Sequence, residues 1–445
     1  MQDQGDSYLP SEFSHQFTRP LARFVRIESV AGSFLFLALV LAMILANSNW
    51  SEPFLSFWEI SIGLHFADMD FSRSLRHWTN EGLMTFFFFV ISLELKRQIV
   101  LGEMQRIRIA MFPVMAALGG MVVPVILYLI FLYDRPGMNG WGTVMATDTA
   151  FVIGCLALFG SRVPSSLRLF LLSLAIFDDL GAILVMTIGY GGDLNWNAIA
   201  LGGLGLGAIA ILARLGLRSV PVYFVLGAGI WLCFDSSGIH PTICGVVLGL
   251  MTPTKIWVSG KRMSAMLGRV FTSLQGEEKS SETASKSDLR QLGRAFRETL
   301  SPVERLEHML HPWVGLVILP LFALANTGIA IGEVHLASPV SMAIIVGLVF
   351  GKPIGVISFS WFAVQCRIAV REEGLSWSLL VAGAFLTGIG FTMSFFIANL
   401  AFSQELLNSA KLGILVGSMI SAFLGIMILV LIVVRNSYAT KLGKI

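Results

Sequence analysis

Twelve apolar stretches separated by short polar or basic links set the pattern of the chain, at about 29–48, 79–95, 109–133, 143–160, 167–190, 197–213, 219–234, 239–253, 312–331, 339–362, 378–401 and 411–434. A helix needs about 20 apolar residues to cross a bilayer, whereas a membrane β-strand alternates over about ten. Continuous rather than alternating runs predict an all-α membrane protein of about twelve transmembrane helices. Composition agrees: 55% of the 445 residues are hydrophobic and 13% charged, about half the charge a soluble surface carries.

Twelve spans put both termini on one side, and the Lys and Arg bias says which. With the N-terminus inside, 26 of the 31 basic residues fall on the cytoplasmic side, and only Arg73, Arg76, Arg135 and Lys411 fall outside, with Lys352 within a span. The domain layout is then a cytoplasmic tail at 1–28, spans one to eight over 29–253 with an external loop at 51–78, a cytoplasmic loop at 254–311, spans nine to twelve over 312–434, and a cytoplasmic tail at 435–445. The first twenty residues lack an apolar core, so no cleavable signal peptide is expected. Net charge is only +3, too balanced to suggest a nucleic-acid partner. Four cysteines without metal-site spacing suggest packing residues and no cofactor.

Two loops carry content. QGEEKSSETASKSD in the 254–311 loop is too polar to order itself by burial. Ile60, Ile62, Leu64 and Phe66 in the external loop alternate with other residues, the period of a half-buried strand. Such a strand or hairpin can pair with a second copy to form a homodimer, or rest against the lipid interface.

Charge within the spans is the candidate chemistry, because each such group costs several kcal/mol without a partner, a wet cavity or a function. The spans hold Glu81, Asp148, Asp178, Asp179 and Lys352. Asp178, Asp179 and Lys352 fall near the middle of the fifth and tenth. Adjacent helical residues point about 100° apart, so one aspartate can pair with Lys352 while the other faces elsewhere. A lone ion pair tying two helices would leave that second carboxylate unneutralised; a proton or a hard cation must balance it. Thr147-Asp148 and Gly388-Ile389-Gly390 interrupt the fourth and eleventh spans, and interrupted helices in matching halves point to a transporter's binding site.

These residues resemble the NhaA family of bacterial sodium/proton antiporters. The stretches that carry the resemblance are Ala146-Thr147-Asp148-Thr149-Ala150-Phe151, Leu158 to Pro164, Leu174 to Ala182, Ser237 to Thr242, Leu306 to Trp313, Gly351-Lys352-Pro353 and Gly388 to Ser394. The resemblance implies inverted-topology repeats with spans 4 and 11 interrupted and crossing. It implies an electrogenic exchange of one Na⁺ or Li⁺ outward for two H⁺ inward across the bacterial inner membrane. Asp179 would be the cation-binding carboxylate, Asp178 its partner, Lys352 the salt-bridging base, and Asp148 the group balancing the broken-helix dipoles, with Thr147, Gly388 and Gly390 in support. Glu94, Arg97, His240, Glu307 and His308 occupy positions the family uses for pH regulation at its cytoplasmic funnel. Gln98, Glu304 and Glu81 depart from the family's usual Glu, basic residue and Asp, and the loop before Leu306 is longer. An aspartyl hydrolase using Asp148 with Asp178, or a passive channel, are the readings from other classes; the lysine and the missing filter repeat speak against them.

Overall fold

The computed structural model describes residues 28–66, 69–100, 107–192, 194–215, 220–254, 301–329, 337–371 and 374–442. The polar run of the 254–311 loop lies outside the described residues, as does most of the 1–28 tail. Each of the twelve apolar stretches falls on helical structure. The first is α1 (Glu28–Ala46), followed by a short α2 (Ser51–Phe57), strands β1 (Ser61–Phe66) and β2 (Met69–Ser74), a π turn at Trp78–Leu83, and α3 (Met84–Val100). The strands pair antiparallel, Ser61 opposite Ser74 through Phe66 opposite Met69; the alternation in the external loop is thus a hairpin.

Then come α4 (Ile107–Phe131), a 3-10 turn at Met138–Val144, α5 (Thr149–Ala157), α6 (Ser165–Gly189), α7 (Trp196–Arg214), α8 (Val220–Asp235) and α9 (Thr242–Met251). The remainder is α10 (Pro302–Trp313), a π turn at Val314–Ile318, α11 (Leu319–Asn326), α12 (Pro339–Val346), a π turn at Gly347–Gly351, α13 (Lys352–Gln365), α14 (Trp377–Leu386), α15 (Phe391–Ala401) and α16 (Gln404–Leu442). Among the described residues, seven helical stretches are long and apolar enough to cross a membrane, eight if α14 and α15, bent by 46°, count as one.

Two boundaries differ from the hydropathy pattern. The ninth apolar helix begins at Pro302, not 312, because Ser301 and Glu304 form a reciprocal capping box with proline in the first turn, satisfying donors a new helix leaves orphaned. The end of the 254–311 loop is therefore helical. Likewise α16 begins at Gln404 rather than 411 and runs to Leu442, so Lys411, the first residue of the twelfth apolar stretch, lies two turns inside a helix and is 3% exposed.

What positions the centre is the contact between α4 and α13. A Cβ on Gly119 or on Gly355 would overlap the other's backbone carbonyl, so only glycines allow these helices to come so close. In the first turn of α13, Pro353 has no N–H to give Val349 and its ring would crowd that carbonyl, which widens the preceding turn to π geometry. Lys352 sits at this junction, fully buried.

Candidate functional site

Two broken helices meet at their breaks. The chain from Met138 winds as a 3-10 turn, becomes extended, and restarts as α5 with Asp148 as N-cap, its Oδ1 accepting from Phe151 N at 3.2 Å. The second break separates α14 from α15. Asp148 N donates to the Ile389 carbonyl at 2.7 Å, and Thr147 Oγ1 donates to the Thr387 carbonyl at 2.9 Å. Asp148 Oδ2 accepts from Thr392 N at 3.0 Å and Thr392 Oγ1 at 2.6 Å. One carboxylate thus serves the N-terminal ends of α5 and α15, where backbone donors and the helix dipole both favour negative charge.

Gly388 permits the break to close. A Cβ there would overlap the Ser421 hydroxyl and the Leu348 carbonyl. Gly390 N donates to Ser418 Oγ at 3.0 Å, tying the break to α16.

Lys352 reaches this crossing from α13. Its Nζ lies 2.5 Å from Asp178 Oδ2 and 2.7 Å from Thr147 Oγ1. Asp178 and Asp179, on α6, are 1% and 3% exposed. Asp178 Oδ1 and Asp179 Oδ1 are buried with no hydrogen-bond partner among the described residues. The structure therefore brings Thr147, Asp148, Asp178, Asp179, Lys352, Gly388 and Gly390 into one centre. The pairing resolves the alternative left open by helical spacing: Asp178 takes the lysine, and Asp179 keeps an unsatisfied oxygen beside it. Asp148 and Asp178 do not form a hydrolase dyad, since each carboxylate is bonded to different partners, one to helix ends and the other to an ammonium.

The remaining candidates divide between opposite ends. Arg97 Nε and Glu307 Oε2 stand 2.9 Å apart where α3 ends and α10 begins, with Glu94 half-buried one turn up α3 and His308 exposed. Glu94 is near enough to Asp179 for their charges to repel. Lys96 Nζ donates to the Leu250 and Thr252 carbonyls at 2.5 and 2.6 Å, so the C-terminal end of α9 is at this same end. His240 is not. It precedes the N-terminus of α9 and its Nε2 contacts the Tyr190 carbonyl at 2.9 Å, on the hairpin side. Spacing in the sequence cannot show this, because α9 carries the chain from one end to the other between His240 and Lys96's partners.

A buried lysine–carboxylate pair at paired helix breaks, inside a largely apolar helical bundle, is the architecture of a membrane transporter rather than of an enzyme. The comparisons specify it. Residues 22–429 match the family described as Na+/H+ antiporter 1, and the chain belongs to that family. It is 57% identical to the Na(+)/H(+) antiporter NhaA of Rhizobium meliloti (strain 1021), covering 97% of this chain and 98% of the relative. It is also 53% identical to Na(+)/H(+) antiporter NhaA 1 of Acidiphilium cryptum (strain JF-5), over 95% and 94% of the two chains. With Na(+)/H(+) antiporter NhaA 2 of Vibrio vulnificus (strain CMCP6) the identity is 49%, again over 95% and 94%.

Proposed function

We propose that this protein exports Na⁺ or Li⁺ in exchange for two H⁺ per cation, by alternating access to the Asp178, Asp179 and Lys352 centre. The observation that carries this reading is the unsatisfied Asp179 carboxylate beside an Asp178 already bonded to Lys352. Carboxylate oxygens suit a hard cation. Sodium entering between the aspartates takes Asp178 as a ligand and releases the lysine from its partner. Two protons can then leave, one from Asp179 and one from Lys352. The proton-loaded centre carries one more positive charge than the sodium-loaded one, so the cycle is electrogenic.

Asp148 has a different role in this reading. Both its oxygens are engaged by helix ends, so it holds the crossing in place while the neighbouring carboxylates exchange ions. Thr147 links the lysine to the crossing through one accepted and one donated hydrogen bond.

The same reading makes the molecule a twelve-span, inverted-repeat protein of the bacterial inner membrane with both termini inside. The hairpin end is then external, and β1 and β2 offer an edge for a second copy. The Arg97–Glu307 contact, with Glu94 and His308, becomes the cytoplasmic pH-responsive group; His240 is then an external contributor. The test is purified protein in liposomes holding a pH gradient and an internal pH dye. Added Na⁺ or Li⁺ collapses the gradient, K⁺ does little, and D179N abolishes the response. An unchanged response in D179N overturns the site.

A further inference from the structure

The exchange centre does not account for the buried charge at the hairpin end. Glu81, in the π turn at Trp78–Leu83, is 7% exposed and its Oε2 has no hydrogen-bond partner among the described residues. It lines a cavity of about 260 Å³ with Arg76, His77, Asn80, Phe396, Asn399, Gln404 and Leu407 among its walls. The turn is wide because the Glu81 carbonyl is taken by side chains, Thr85 Oγ1 at 2.5 Å and Trp231 Nε1 at 3.3 Å, which loosens the local helical ladder.

The basic groups in and beside the wall are already matched. Arg76 Nε stands 3.0 Å from Glu59, and His77 Nε2 and Arg73 Nη2 stand 3.1 and 3.0 Å from Asp235. Lys411 is different: it is 3% exposed, close to Arg76, and has no ion pair or hydrogen bond among the described residues. It follows cavity-lining Leu407 by one turn of α16. Helical side chains lean toward the N-terminus, so the lysine leans toward the turn that lines the cavity without itself forming its wall.

An amide supplies a second oxygen. Asn399 Nδ2 donates to the Phe395 carbonyl and to Asn326 Oδ1, both at 2.9 Å. A backbone carbonyl only accepts, so the amide nitrogen is fixed there, and the Asn399 carbonyl oxygen is left for the cavity. Asn326 is held in turn by its own Nδ2 donating to Asn80 Oδ1 at 2.7 Å and to the Phe322 carbonyl at 2.9 Å.

The cavity also has a route to the centre. α15 runs from Thr392, bonded to Asp148, to Asn399, about 10 Å at 1.5 Å per residue. Between them Phe396 packs on Phe88 and Phe322, with ring centres 5.7 and 6.0 Å apart. Phe396, itself in the cavity wall, lies between Thr392 and Asn399 on this path.

We propose that this cavity is a second monovalent-cation site, where the Glu81 carboxylate and the Asn399 amide oxygen hold the ion released past Phe396 and Lys411 is the charge that displaces it. The inference rests on the proposed orientation and exchange reaction. The site acts on one face only, and that sets its test. Uniformly oriented proteoliposomes receive Na⁺ on one face at a time, and proton movement is followed by dye. E81Q raises the half-saturating Na⁺ at the hairpin face at least fivefold and leaves the opposite face within twofold; E81D stays near wild type. K411M lowers the hairpin-face value. Equal shifts at both faces, or none, overturn the site. If E81Q fails to fold, N399A and K411M decide it, N399A raising and K411M lowering the hairpin-face value alone; no one-sided shift in either overturns it. D179N turning over normally would instead defeat the exchange reading, a distinct outcome.

Discussion

The molecule places a lysine and a carboxylate in two buried settings, and they are solved differently. At the centre Lys352 touches Asp178 directly at 2.5 Å and both are at most 1% exposed. At the hairpin end Glu81 and Lys411 are nearly as buried, yet neither carboxylate nor ammonium has a hydrogen-bonded or ion-pair partner among the described residues, and a cavity adjoins Glu81. Direct contact in a medium of low dielectric offsets part of a large desolvation cost, and losing one partner strands the other. A cavity lets water or an ion do the same work, so loss of one group is tolerated. Direct pairing fixes a geometry; separation leaves room for a ligand.

The largest effect that follows is at the centre. Lys352→Met leaves Asp178 buried and unpaired, a loss of about 3–5 kcal/mol by the usual cost of breaking such a pair. Exchange falls at least a hundredfold and the melting temperature in detergent drops. Lys411→Met changes overall exchange by less than about fivefold. Were Lys411→Met the more damaging, the contrast between the two settings would be wrong. Next is Asp148→Ala, which uncaps α5 and α15 together. Each cap is worth about 0.5–2 kcal/mol, so the loss is about 1–4 kcal/mol, measured as a lowered midpoint in thermal unfolding. Asp148→Asn keeps a carbonyl acceptor and loses less. Smaller again is Arg97→Gln at the end opposite the hairpin: the exchange rate at its best pH stays within about threefold, while the pH profile moves. A profile that does not move removes the Arg97–Glu307 contact from regulation.

Much of this contrast is legible in the sequence and part is not. Adjacent Asp178-Asp179 in one apolar run and Lys352 in another announce a buried charged centre, because few other uses of such residues survive in hydrocarbon. Thr147-Asp148 and Gly388-Ile389-Gly390 mark the helix breaks for the same local reasons the structure shows. The choice of Asp178 over Asp179 as lysine partner is not legible, since it depends on how α6 is rotated against α13. Lys411 escapes notice because its burial follows from where α16 starts, seven residues before it. The Ser301 to Glu304 capping box is a local signal, masked by the mixed polarity of the turn it opens. Asp235 and His240 sit at segment ends, where sequence gives a position along the chain and no neighbour across the bundle.

The smallest effect concerns the strap that closes the hairpin end. Asp235, the last residue of α8, accepts from Arg73 at 3.0 Å and contacts His77 at 3.1 Å, tying β2 and the turn after it to the bundle. Burial pushes this carboxyl up, but the bonds and charges of His77 and Arg73 outweigh it and hold Asp235 below the usual 3.8. A carboxyl held low contributes stability that is present above its unfolded value and lost as pH falls through the lower folded one. The strap is therefore intact at pH 7 and weakens only below about pH 3.8. Thermal unfolding in detergent at pH 6 and pH 3 measures this. Wild type loses more on acidification than Asp235→Asn, whose strap is already weakened at pH 6, by about 1 kcal/mol or less because Arg73 is partly exposed. Equal losses in the two proteins would show that the hairpin is held by its packing alone.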